Sequence, residues 1–198
     1  MTEFISEYGS LILSAVGDTL LMVVLSTFFG YLLGIPLGVV AYVTDHGSIS
    51  ENRVINSIVG WVINIVRSVP FIILIIFLIP YTRAIMGTAS GTRGVLFPLV
   101  VGAAPFIARM VESSFNELDR GVIESARAMG ATNFQIIRKV LLPESFPSLL
   151  RGMSIATITL IGYIAMAGMV GGGGLGAVAI NYGYYRYERP VMNVTIVL

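Results

Sequence analysis

VIESARAMGATNFQIIRKVLLPESFPSLL, Val122 to Leu150, is a charged and helix-like stretch inside an otherwise greasy chain. Just before it, Asp119 is placed to cap a helix from Arg120 to Met129. Gly130, which tolerates a positive φ, then terminates that helix. Arg120 and Glu124 stand four apart and Glu124 and Arg127 three apart, a spacing that lets charges pair along one face. Val122, Ala126 and Met129 recur at i, i+4 and i+7 on another. Thr132 followed by Gln135 spells a capping box. It predicts a second helix from about Asn133 to Leu142, stopped at Pro143. The reading is two short helices meeting at a glycine, with too little apolar surface to form a domain of their own.

The rest of the chain says what solvent surrounds this segment. Hydrophobic residues make up 56%, charged residues 12%, and the mean hydropathy is +0.87. Soluble domains carry about 25% charged residues, so half that share points to lipid. Apolar runs of about 20 residues, enough to cross a bilayer, recur along the chain. The fold class predicted is an all-α polytopic membrane protein, a single transmembrane domain over residues 1–198. The net charge of +1 gives no reason to expect nucleic acid. There is no Cys and one His, which excludes disulfides and the usual Cys/His metal sites. MTEFISEYGS lacks the basic start of a signal peptide and reads as a retained N-terminus.

Five spans are expected, at about 19–43, 54–80, 95–111, 149–170 and 191 onward, with the polar segment 119–143 between the third and fourth. Asp18 is expected to split the first apolar run and leave a short leading helix at the interface. Gly30, Gly34 and Gly38 line one face of the first span and suit close helix packing, with Pro36 as a kink. In the second span Asn56, Gly60, Asn64 and Arg67 form a polar stripe, which fits either an interfacial first half or a pore lining. An arginine at mid-bilayer costs about 2.5–3.5 kcal/mol, so Arg67 belongs near a membrane face, in a polar cavity or against a partner. Pro70 is expected to bend that helix, and Pro98, Gly102 and Pro105 the third. The closing eight residues, VMNVTIVL, reach only about 12 Å as a helix. A fifth span would therefore continue past them.

The basic residues set an orientation. Arg53, Arg109, Arg120, Arg127, Arg138, Lys139 and Arg151 fall on one side, and Arg83, Arg93, Arg186 and Arg189 on the other. The excess puts the N-terminus outside, with the polar segment and the C-terminus in the cytoplasm. In the fourth span Gly152, Ala156, Thr159, Tyr163 and Met166 share a face, which suits core packing or a path lining. Met169 and the glycines 171–174 fit either a gate at the outer mouth or a terminator followed by a flexible loop. Tyr182, Tyr184, Tyr185 and Tyr187 suit anchors at the outer interface.

Pattern alone leaves the polar segment as a surface loop or as a short amphipathic piece for a partner's groove. Its spacing is more specific. Glu124-Ser125-Ala126, three residues, Gly130, nine residues and Val140-Leu141-Leu142-Pro143 resembles the EAA motif of ABC importer permeases. Ser125 and Val140 stand where that pattern has Ala and Ile. NIVRSVPFIILIIFLIPYTR, VGAAPFIARMVE, ARAMGATNFQIIRKVLLPE and MVGGGGLGAVAINYGY extend the resemblance to bacterial methionine importer permeases, a type I ABC transporter family.

That resemblance implies a coupling helix, with Glu124, Ser125, Ala126, Met129, Gly130, Ala131, Val140 and Pro143 at the ATPase contact. It also implies a homodimer beside two cytoplasmic ATPase subunits, which would hold ATP and magnesium. A periplasmic, lipid-anchored binding protein would deliver L-methionine and D-methionine. The chain itself has no G-x-x-x-x-G-K-[ST] loop, and its sole lysine is Lys139, so no cofactor and no enzymatic activity are expected on it. Asn64, Arg67, Thr159, Tyr163, Met166 and Met169 are the residues expected along the path or its gate. An importer of another small polar solute remains an alternative. An ion-coupled secondary transporter would want carboxylates inside the bilayer, and only Asp18 lies near a span. A channel would want a filter-like loop, and an intramembrane enzyme a nucleophile and base. Neither pattern is visible.

Overall fold

The computed structural model describes residues 2–198. Ten α-helices follow one another, and no strand occurs among the described residues. They are α1 (Thr2–Val43), α2 (Arg53–Ser68), α3 (Phe71–Met86), α4 (Gly91–Asn116), α5 (Arg120–Ala128), α6 (Asn133–Ile136), α7 (Leu142–Glu144), α8 (Phe146–Ala167), α9 (Gly174–Val178) and α10 (Arg189–Val197). Three stretches are long and apolar enough to cross a membrane: Ser6–Val43, Gly91–Asn116 and Phe146–Val170. The bent pair α2 and α3 makes a fourth if it is counted as one span.

Two boundaries differ from the sequence reading. Asp18 does not split the first run: α1 is a single helix of 42 residues that also continues through Pro36. One carboxylate does not interrupt backbone hydrogen bonding, and Asp18 is only partly buried, so nothing forces a break. The second apolar run is not one bent helix. It ends at Ser68 and restarts at Phe71, because Pro70 supplies no N–H and disfavours helical geometry at Val69. Helix α4, by contrast, passes unbroken through Pro98, Gly102 and Pro105. The C-terminal helix α10 has nine residues.

The chain forms two compact units. The first comprises residues 1–28, 69–102 and 157–198. Here Ala15, Val178 and Val191 form a buried cluster flanked by Tyr8, Leu11, Leu175 and Tyr182. Thr19 knits α1 to the start of α9, its Oγ1 accepting from Leu175 N–H at 2.9 Å while donating to the Ala15 carbonyl. The glycine run between α8 and α9 is a packed elbow, not an open loop. The Gly91 N–H donates to the Gly171 carbonyl at 2.8 Å. A Cβ added to Gly173 would sit 2.6 Å from Thr92 Oγ1, and one on Gly176 2.6 Å from the Ala165 carbonyl oxygen. Small residues are used here to bring backbones together.

The second unit comprises residues 29–68 and 103–156 and carries the polar segment. Its seam is the expected glycine face. A Cβ on Gly34 would lie 2.7 Å from Ile107 Cβ and 2.9 Å from the Ala104 carbonyl oxygen. One on Gly38 would lie 2.5 Å from the Ala108 carbonyl oxygen and 2.6 Å from Val111 Cβ. Helices α1 and α4 are thus in backbone contact. Ala41, Ile63 and Ala108 close the gap to α2, and Tyr42 meets Phe115 edge-on at 5.3 Å.

Gly38→Ala is expected to destabilise the protein by about 1–3 kcal/mol, the usual cost of overpacking. Gly60, with open space around it, is the control. Gly60→Ala is expected to be neutral or slightly stabilising through helix propensity. Thermal melts of both variants in the same detergent check the pair, and equal melting temperatures would refute the tight seam.

Candidate functional site: the capped polar segment and the polar stripe

The polar segment folds much as its capping signals dictate. Asp119 caps α5, its carboxylate accepting the Gly121 N–H at 2.8 Å. The chain then turns through Gly130 at φ +79°. No neighbour approaches a Cβ built there, so the demand for glycine is conformational, not steric. Thr132 and Gln135 complete the capping box: the Gln135 N–H donates to Thr132 Oγ1 at 3.3 Å, and the Thr132 N–H to Gln135 Oε1 at 2.8 Å.

Three details depart from the expectation. The buried side chains of α5 are Ile123 and Ala126, while Val122 and Met129 face outward, Met129 with 81% of its surface exposed. Arg120, Glu124 and Arg127 form no ion pair with one another, since exposed charges gain little from holding long side chains together. Nor does helix end at Pro143. After α6 the chain widens into a π turn, Ile137–Leu141, in which the Leu142 N–H reaches back to the Ile137 carbonyl. Pro143 follows directly as the second residue of α7, with Leu141 and Leu142 already in helical geometry. Widening before a proline relieves the clash of its ring with the preceding turn.

The outcome is a segment anchored from within and open outward. Ile123, Ala126, Ile136 and Leu141 are its buried anchors. Glu124, Ser125, Met129, Gly130 and Pro143 are exposed, as is Phe134 at 68%, while Ala131 and Val140 are half-buried. Behind the segment Glu117, at the end of α4, accepts from Ser148 Oγ at 2.9 Å and lies 3.9 Å from Arg151. The α1–α2 loop forms a second wall. A cavity of about 150 Å³ lies between them, lined by Asp45, His46, Arg120, Glu124 and Arg127 among others.

The loop itself is gathered by Glu51. Its carboxylate accepts the Gly47 N–H at 3.0 Å and meets His46 Nδ1 at 2.9 Å. The Glu51 hydrogen bond, followed by its charge, raises the His46 pKa above its ordinary 6.5. The Gly47 N–H and then His46 lower Glu51 below 4.5.

The residues proposed for a path do not gather in one place. Asn64 and Arg67 lie on exposed positions of α2, and Asn64 Oδ1 accepts from Arg109 Nη2 at 2.8 Å. Asn56, on the same stripe, donates to the Ala41 carbonyl at 2.8 Å. Part of the stripe therefore serves helix packing. On α8 the face divides: Gly152 packs against Met110 and Ala156 is buried, whereas Met166 is 43% exposed; Met169, just past the helix, is 61% exposed. Thr159 is partly buried, and Tyr163 stacks on Phe71 with ring centroids 4.3 Å apart. The larger cavity, about 670 Å³, is apolar and lined by α1, α8, α9 and α10, and none of these six residues borders it. Among the described residues no group of His, Asp and Glu converges to hold a metal ion. Sequence reasoning missed the fork from Arg109, for which the i, i+3 spacing of Arg109 and Glu112 was the available signal.

Two predictions follow from this geometry. Gly130→Val is expected to loosen α5 and α6, seen as faster amide exchange, while Gly130→Asn, which tolerates positive φ, keeps protection. Equal protection in both would mean that the left-handed turn is not required. In the loop, the His46 contribution is full below pH 6.5 and lost as pH rises through its raised pKa; the Glu51 contribution is full above 4.5 and lost as pH falls through its lowered one. Protection of the Gly47 amide, corrected for intrinsic exchange, should therefore peak between those values.

The comparisons with known proteins agree with this architecture. Residues 34–194 match the family model described as "Binding-protein-dependent transport system inner membrane component". The chain is 50% identical over its whole length to a probable D-methionine transport system permease protein MetI of Vibrio cholerae, covering 88% of that relative. It is 51% identical over 158 residues to the D-methionine transport system permease protein MetI of Escherichia coli K12, covering 80% of this chain and 73% of that one. Among solved structures, an inward-facing conformation of the MetNI methionine ABC transporter matches with a TM-score of 0.94 and 50% identity, over 96% of this chain and 88% of that one. The packed glycine seams, the capped polar segment and this likeness along the whole chain lead to one conclusion: the chain belongs to the family of binding-protein-dependent transport system inner membrane components, the permease subunits of ABC importers.

Proposed function

We propose that this permease carries methionine, in its L and D forms, as one of two identical membrane subunits beside two ATPase subunits. The observation that carries the coupling part is the outward face of the docking segment, with Met129 and Phe134 exposed on either side of a left-handed Gly130. Exposed apolar side chains on short, well-capped helices are suited to a groove on a partner. Glu124, Ser125, Ala126, Ala131, Val140 and Pro143 shape the remainder of that contact. The identity to relatives named for D-methionine transport supports the substrate.

ATP and magnesium belong to the ATPase subunits, and this chain hydrolyses nothing. Closure of the ATPase pair draws the docking segments together, and the helices rooted in them rock the path from inward-open to outward-open. Arg67, on an exposed position of α2, is a candidate contact along the path. Met166 and Met169 offer soft, adaptable surface to a thioether, and Thr159 and Tyr163 share the α8 face of Met166. Weak contacts suit this role, because a carrier that held its solute tightly would not release it. A binding protein outside the cell membrane supplies the solute, and the N-terminus lies on that side with the C-terminus in the cytoplasm.

The test is ATP-dependent uptake of labelled L-methionine into proteoliposomes holding the full permease, its ATPase subunit and its binding protein. Uptake is expected to require ATP and to be suppressed by D-methionine but not by unrelated amino acids. Uptake of a different solute would discard methionine and keep the importer. Uptake without ATP would overturn the coupling role of the docking segment.

A further inference from the structure

Arg109 sits three residues before Glu112 on α4, and its Nη1 donates to both oxygens of that carboxylate at 2.8 and 2.7 Å. The Glu112 side chain is 15% exposed and that of Arg109 35%. The arginine's charge is therefore met on its own helix in a sheltered place, and the ion pair fixes how the guanidinium plane is turned. What remains of the fork is Nη2, aimed at α2, where it donates to Asn64 Oδ1 at 2.8 Å. The residues next to the pair, Ala108 and Ile63, pack in the same buried cluster as Ala41. Apolar packing of that kind is non-directional, whereas a charged hydrogen bond to a single acceptor is directional.

The placement along the chain gives the contact its meaning. Beyond Arg109 and Glu112, helix α4 ends at Asn116, and after three intervening residues α5, the docking helix, begins at Arg120. Helix α2 runs from Asn64 to Ser68, with Arg67 in its last turn, and ends before Pro70. Arg109 is thus the polar joint between the helix that carries the docking segment and the helix that carries Arg67. We propose that Arg109 is a positioning residue: oriented by Glu112 and locked on Asn64, it keys α2 to α4, so that a displacement of the docking segment moves Arg67 with it. The proposal rests on the importer reading above.

Uptake per ATP hydrolysed, in the complete transporter in proteoliposomes, is the readout. Arg109→Lys keeps the charge beside Glu112 but cannot span both partners. It is expected to lower uptake per ATP by about tenfold, the scale of one lost charged hydrogen bond, while ATP hydrolysis on the partner subunit continues. Asn64→Asp keeps the acceptor and retains coupling, whereas Asn64→Leu loses it. Combining Arg109→Lys with Asn64→Leu is expected to cost no more than either change alone. Losses that multiply, or uptake and hydrolysis falling in proportion, would overturn the joint and leave a purely structural contact. If Arg109→Lys fails to assemble with the ATPase subunit, the Asn64 pair decides the question by itself. A wild-type complex without ATP-driven uptake would instead remove the importer reading, and this inference with it.

Discussion

Everything in the second unit depends on how closely α1 and α4 approach. At Gly34 and Gly38 the backbone of one helix meets carbonyl oxygens and side chains of the other with no room for a Cβ. In lipid there is no hydrophobic drive to bring helices together, so association relies on close van der Waals contact and on hydrogen bonds between helices. The glycine seam supplies the first. Once α4 is fixed against α1, Ala108 meets Ile63, Arg109 reaches Asn64, and Tyr42 rests on Phe115. The capped polar segment inherits its position from the end of α4.

The same economy of small residues appears in the first unit, for a different purpose. Between α8 and α9, Gly172, Gly173 and Gly174 lie against Ala167, Thr92 and Thr19 with no space left for side chains, while Gly171 supplies a left-handed turn. Flexibility is the usual inference from four glycines in a row, and here it misleads. Glycine gives access to tight turns and to close contact alike, and the neighbours decide which of these the chain uses.

Legibility in the sequence followed the range of the interaction. The cap at Asp119, the positive φ at Gly130 and the box of Thr132 and Gln135 are local, involving residues a few positions apart, and each was readable before any fold was known. The break at Pro70 was read as a bend, because proline chemistry tells that a helix is disturbed but not whether packing lets it resume. Pro98 and Pro105 carry the same chemistry, and α4 continues through both. Asn64 and Arg67 were readable only as a polar stripe. That Asn64 faces an arginine 45 residues away depended on the seam that brings α2 beside α4.

By itself the sequence determined the solvent, the helical class, the glycine face and the motif that marks an ABC permease. Each of these rests on composition or on spacings within a few turns of one helix, which are properties of a chain before it folds. Only the tertiary structure decided which side of α5 is buried, how the chain passes Pro143, that the glycine run is packed, and that Arg109 joins two helices. Those outcomes depend on which surfaces meet. Meeting is settled by the closest approach that backbone and side-chain volumes allow, a quantity no single stretch of sequence contains.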